Sequence, residues 1–214
     1  MANAGASHPE ESFTIEGREI VIAHEREVRP CTAVRNVVIQ SSLSQLQDAG
    51  YYERYLTLID PDRLQALLSS FAPGWTPIEL ALAHYEACDK LGLTQEEHAK
   101  LGQRIGARLQ ETALVTAAKR SRDADFDLWN ATGNLHRMWA RLYQGGSCQV
   151  VKLGPKDKLV ELRAFALSRY RYYRNAQLAG IGAAYEALGA RLETLRVLSY
   201  NAARDELTFR FTWY

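Results

Sequence analysis

The sequence predicts an α+β fold, with an N-terminal helical layer packed on a C-terminal four-stranded antiparallel sheet of ββαββ order. Three observations carry that expectation. Residues 148–153 and 158–162 are runs of strand composition on either side of Gly154-Pro155-Lys156-Asp157, which is turn chemistry. Residues 207–213 alternate strictly, so Leu207, Phe209, Phe211 and Trp213 share one face, the core face. Upstream of Gly145-Gly146, apolar residues recur at helical spacing, punctuated by glycine and proline.

A length of 214 residues fits one domain, taken here as residues 13–214. Residues 1–12 are small, polar and acidic and predict a disordered tail. The chain is 47% hydrophobic and 24% charged, enough apolar material for a sizeable core. Its net charge of +1 argues neither for nucleic acid nor for an acidic partner. Cys31, Cys88 and Cys148 are odd in number and widely spaced, which predicts reduced thiols in the cytoplasm. There is no signal-peptide pattern, and no run approaches the roughly 18 apolar residues of a membrane span.

Along the chain, residues 13–15 and 20–22 predict a short strand or hairpin around Glu16-Gly17. A helix begins at Thr32 and stops at Gly50, and Tyr51, Tyr52 and Tyr55 open a short aromatic helix or turn. Asp60-Pro61 starts another helix, with aspartate as cap and proline in the first turn. Thr76-Pro77 repeats the device, with Ile78, Leu82 and Tyr85 on the apolar stripe and Gly92 as the stop. Thr94 and Glu97 form a capping box for a helix that continues to about residue 120. Within it, Gly102 and Gly106 predict a close helix contact. Residues 123–146 predict a further helix carrying Trp129, Leu135, Met138, Trp139 and Leu142. Residues 168–189 predict a helix rich in alanine and glycine, and 194–200 a strand.

Several runs together resemble a myxobacterial family of unknown function, over about residues 15–214. They are Trp75-x-Pro77, Leu91-Gly-Leu93-Thr-Gln-Glu-Glu97, Trp139-Ala-Arg141-Leu-Tyr143-Gln-Gly145-Gly146 and Leu153-Gly-Pro155-Lys156. The order of helices followed by ββαββ is also similar to the fold of TRAPP transport-complex subunits, 4-vinyl-reductase-type ligand domains and haem-nitric-oxide-binding domains. The resemblance implies a TRAPP-like arrangement, frequent dimerisation, and small or lipid-like ligands held between helices and sheet. Haem-binding relatives carry an axial histidine and a Tyr-x-Ser-x-Arg motif. This chain lacks that motif, and Arg169-Tyr-Arg-Tyr-Tyr-Arg174 matches it only superficially. Zinc-containing relatives cluster their cysteines, which are far apart here. Neither a cofactor nor a metal is therefore expected.

The most conspicuous chemical feature is the basic-aromatic stretch at 152–174. Lys156, Lys158, Arg169, Arg171, Tyr172 and Arg174 are its candidate partner- or anion-binding residues, by charge and stacking. The plainer alternative is a solvated helix start whose tyrosines pack on the sheet. Arginines at a helix N-terminus oppose the macrodipole, so carboxylate or anionic partners are expected there. His84 and Cys88 share a helix face at i, i+4, but zinc needs about four ligands. His98 and His136 could join them only through the fold. Asp123, Asp125 and Asp127 lack the glycine and distal glutamate of a calcium loop and suit an exposed helix start. Gly-x-Ser-x-Gly, Walker-type and dinucleotide glycine patterns are absent.

These readings favour a non-enzymatic regulatory or protein-interaction module, a homodimer with an unidentified protein partner. The alternative is a sensor that holds a small apolar or amphipathic ligand in a pocket between helices and sheet.

Overall fold

The structure, a computed structural model, describes residues 18–69, 74–94, 96–98, 100–101, 128–133, 135–187 and 190–214. The expected tail, the strand at 13–15, the Gly102/Gly106 pair and the Asp123, Asp125 and Asp127 run lie outside these residues. Among the described residues, the strands form two sheets. The larger has five strands in the order β1-β5-β6-β8-β7: β1 (Glu19–Ile22), β5 (Ser147–Gly154), β6 (Asp157–Arg163), β8 (Glu206–Trp213) and β7 (Leu192–Asn201). The smaller is β3-β2-β4, with β2 (Ala33–Arg35), β3 (Trp75–Pro77) and β4 (Tyr143–Gln144). The expected four-stranded ββαββ sheet is thus corrected to five strands. The added strand, β1, pairs antiparallel with β5, placing Glu19 opposite Lys152 and Ile20 opposite Val151. It covers backbone donors and acceptors that β5 would otherwise present at an open edge.

The helical segments are α1 (Asn36–Asp48), α2 (Tyr52–Leu56), α3 (Pro61–Leu68), α4 (Ile78–Lys90), α5 (Leu128–Gly133), α6 (Leu135–Leu142) and α7 (Arg171–Ala187). A 3₁₀ turn at Ala166–Arg169 precedes α7. Helix α3 starts as its sequence predicts. The Asp60 carboxylate accepts from the N–H groups of Asp62 (3.1 Å) and Arg63 (3.0 Å), with Pro61 in the first turn. The Thr94 capping box also forms, with the Thr94 N–H donating to Glu97 at 2.7 Å and the Glu97 N–H to the Thr94 hydroxyl at 3.3 Å.

Two helix starts differ from expectation for one reason. Residues at both starts belong to the small sheet, where Val34 lies opposite Thr76 and, on its other side, Tyr143. Helix α1 therefore begins at Asn36 instead of Thr32. Thr76 does not cap α4; its hydroxyl donates to the buried Asn36 side chain at 2.6 Å. Pro77 is tolerated because β3 is an edge strand.

Gly145 and Gly146 lock the two sheets together. Both have positive φ (86° and 65°). A Cβ on Gly145 would collide with the Pro30 carbonyl, and one on Gly146 would meet Phe165 at 3.0 Å. The Gly146 N–H donates to the Arg29 carbonyl at 2.8 Å. Helix α7 runs along the inner face of the large sheet, where Val160, Leu162, Leu207, Phe209, Phe211 and Trp213 are buried.

Candidate functional site

Strand β6 puts a lysine in the core. Lys158 lies opposite Phe211 and shares the inner face with Val160 and Leu162, two and four residues on. It is 1% exposed. Its ammonium group donates to the Thr132 hydroxyl at 2.8 Å and, by a very short contact, to the Tyr185 hydroxyl. The Nζ also lies 4.2 Å from the Tyr185 ring centroid and 5.1 Å from that of Phe211. Among the described residues, no carboxylate forms an ion pair with it. Desolvation pulls its pKa from 10.5 down to about 7, with the Cys148 thiol opposing in a smaller degree. The same burial pushes Cys148 up to about 12 and raises Tyr185.

Beside this lysine is a cavity of about 110 Å³ between α6, α7 and the sheet. Leu135, Met138, Trp139 and Leu142 line it from α6, and Ile181 and Tyr185 from α7. Cys148, Lys158, Val160, Leu162, Phe209 and Phe211 form its floor. Trp139 and Tyr143 also line a more open hollow of about 380 Å³ that is bordered by Glu25, Glu27 and Arg29. These two aromatic residues thus lie between the cavity and that hollow.

The second buried basic group is His84 on α4. Its Nδ1 pairs with the Tyr55 hydroxyl and its Nε2 with the Ser42 hydroxyl, both at 2.9 Å. Cys88 Sγ lies 3.7 Å from Nε2, and Ser42 reaches the Tyr172 hydroxyl at 3.4 Å. Burial lowers the His84 pKa to about 3, so the ring is neutral. Both ring nitrogens are occupied by hydroxyls, and no group of three metal-ligating side chains occurs among the described residues. His98 is bound to the Thr94 carbonyl at 2.8 Å, and His136 is exposed on α6.

The structure separates the six candidate binding residues. Lys156 and Arg171 are exposed, whereas Lys158 and Tyr172 are buried. Arg169 pairs with Asp205 through two contacts of 2.6 and 3.0 Å. Arg174 donates to the Ser168 and Arg169 carbonyls and lies over the Tyr200 ring. Lys156 precedes the seven-residue β6, whereas Arg169 lies in the 3₁₀ turn beyond its far end. The carboxylate expected at the arginine-rich helix start is Asp89, which accepts from the N–H groups of Arg171 (2.9 Å) and Tyr172 (2.6 Å).

One further constellation has no signal in the sequence. His24 Nδ1 pairs with the Ser147 hydroxyl at 2.7 Å, and His24 Nε2 lies 3.9 Å from Glu161. Ser147 is 3% exposed, lines neither cavity and accepts from the Glu25 N–H at 3.3 Å. It is therefore a structural anchor for the chain entering the sheet.

A haem, the group that the haem-binding relatives would suggest, does not fit the described residues. The cavity is well below the roughly 300 Å³ at which cofactor-sized pockets begin. Lys158, not histidine, stands on its floor, and the buried Cys148 thiol is held protonated.

No protein-family model matches this sequence, and no curated protein matches it. Solved structures do. An Fe(II) unliganded H-NOX protein from K. algicida aligns with a TM-score of 0.56 at 7% identity, over 84% of this chain and 96% of that one. A single-residue mutant of that protein gives 0.55 at 8% identity, with the same coverage. A Tt H-NOX variant gives 0.51 at 11% identity, over 84% of this chain and 94% of that one. Of the fold relatives suggested by the sequence, these correspond to the haem-nitric-oxide-binding domains. The chain has the H-NOX-like α+β fold.

Proposed function

We propose that this protein is a sensor domain that holds a small, largely apolar molecule in the cavity between α6, α7 and the sheet, without catalysing a reaction. The observation that carries this reading is the cavity itself, a mainly apolar space whose described lining includes the buried Lys158. The similarity to H-NOX structures supports it through the fold alone. Lys158 contacts Thr132 on α5 and Tyr185 on α7, so an occupant that takes over those hydrogen bonds acts on two helices at once. Trp139 and Tyr143 are the natural gate from the outer hollow. The protein-interaction reading, first on sequence grounds, yields its place. Two of the residues meant to carry it, Lys158 and Tyr172, are buried.

The test is binding of small apolar probes, xenon and n-butanol, followed by methyl NMR. Saturable shifts at Ile181, Leu142 and Val160 are expected, and Val160→Phe, which fills the space, should abolish them. Shifts that do not saturate, or that survive Val160→Phe, count against the cavity. Native mass spectrometry of the purified protein reports any retained ligand and, in the same spectrum, whether the expected homodimer forms.

A further inference from the structure

We propose that Lys158 is a reversible covalent anchor: the cavity takes a short aliphatic aldehyde or ketone, which the Lys158 Nζ binds as an imine. This inference rests on the cavity reading above and names its ligand class. Three features of the site converge on it. The nitrogen is bonded to hydroxyls, with no carboxylate among the described residues to hold it as an ammonium. The surrounding wall is aliphatic and aromatic, which disfavours the charged amine and keeps away the water that would hydrolyse an imine. The phenol of Tyr185 is bonded to the same nitrogen and lines the same cavity, in place to deliver a proton.

The chemistry balances without a redox partner. The neutral amine forms an N–C bond to the carbonyl carbon as the C=O π bond breaks, and the oxygen takes a proton by way of Tyr185. Nitrogen then gives up its remaining proton, which passes by way of Tyr185 to the hydroxyl oxygen as the C–O bond breaks, so that water leaves with the imine in place. Thr132 bonds both the lysine and the tyrosine, the latter at 3.1 Å, and holds the pair in register. The lowered lysine pKa of about 7 supplies the unprotonated amine at neutral pH. Size sets the ligand. A cavity of about 110 Å³ is smaller than the engineered ~150 Å³ cavity of another protein that admits benzene, so a chain of about four carbons fits.

The test uses the full chain, butanal and cyanoborohydride, read by intact mass and peptide mapping. The expected result is one N-butyl group per chain on Lys158, with a rate that rises through pH about 7 instead of the usual lysine range near 10.5. Butan-1-ol, which fills the cavity but cannot form an imine, should slow labelling competitively. Tyr185→Phe should slow it about tenfold or more. Lys158→Arg should abolish it. Adducts spread evenly over surface lysines overturn the proposal. So does a Lys158 rate that follows the ordinary lysine pKa. If butan-1-ol binds saturably while Lys158 stays unlabelled, the imine is excluded and the cavity reading survives. If neither butanal nor butan-1-ol binds, both fall. Should Lys158→Arg fail to fold, the competition and the Tyr185→Phe rate decide.

Discussion

His84 and Lys158 are both basic, both buried and both walled by aromatic rings, yet they differ in kind. His84 has a hydroxyl on each nitrogen and lines neither cavity. Lys158 also has two hydroxyl partners, but it borders an open volume, and no described residue offsets its charge. A neutral imidazole with both nitrogens satisfied is a core group that happens to be polar. A desolvated amine beside a void costs stability, and such costs concentrate where a ligand is to be met. The contrast marks His84 as architecture and Lys158 as the proposed site.

The largest expected effect tests the architectural residue. His84→Ala strands the Tyr55 and Ser42 hydroxyls and opens a hole, so urea unfolding should show a loss of about 3–5 kcal/mol. Lys158→Met should move the other way, gaining about 1–3 kcal/mol at pH 6, because an uncompensated buried charge is replaced by a hydrophobe of similar length. A loss of similar size on Lys158→Met would put the lysine in the same structural class as the histidine.

Titration sharpens the same contrast. Lys158 has its folded pKa, about 7, below its unfolded value of 10.5, so the unfolded chain binds the extra proton in that window. Stability should rise with pH from about 7 to about 10, by at most about 1.4 kcal/mol per pH unit, and this slope should vanish in Lys158→Met. The folded pKa values of His24 and His84 lie at about 4 and about 3, below their unfolded 6.5. Their contribution is intact above pH 6.5 and is lost on acidification, in both wild type and the lysine variant. Surface members of the basic stretch are the controls. Arg169→Gln breaks a half-exposed ion pair and should cost under about 1 kcal/mol. Arg171→Ala should stay within about 0.5 kcal/mol.

Much of the frame could be read from the chain. The Asp60-Pro61 start, the Thr94 box, the 154–157 turn and the alternation of Leu207, Phe209, Phe211 and Trp213 are local signals, and each is where the sequence puts it. The site was less legible. Lys158, Val160 and Leu162 alternate as clearly as the residues of β8, yet a lysine beside a turn reads as solvated. Only the strand pairing shows that it faces inward. Tyr172 and Tyr173 are both buried, as the plainer reading of the helix start has it, because the start of α7 is sunk against α4, where Asp89 holds it. The fifth strand has a local signature, the β-branched run at 20–22, but its pairing with the large sheet has none. Its partner β5 lies more than a hundred residues away, and nothing near Glu19 announces it.

That same distance governs how the protein can be assembled. The small sheet joins residues 33–35, 75–77 and 143–144, and the Gly146 N–H closes onto Arg29. During synthesis, helices α1 to α4 leave the ribosome long before the strands and the α7 helix that complete their core. Their closing contacts span most of the chain, a high-contact-order topology that slows the final step. A fragment ending near residue 94 should accordingly stay unfolded alone and recover its structure when mixed with the remainder of the chain.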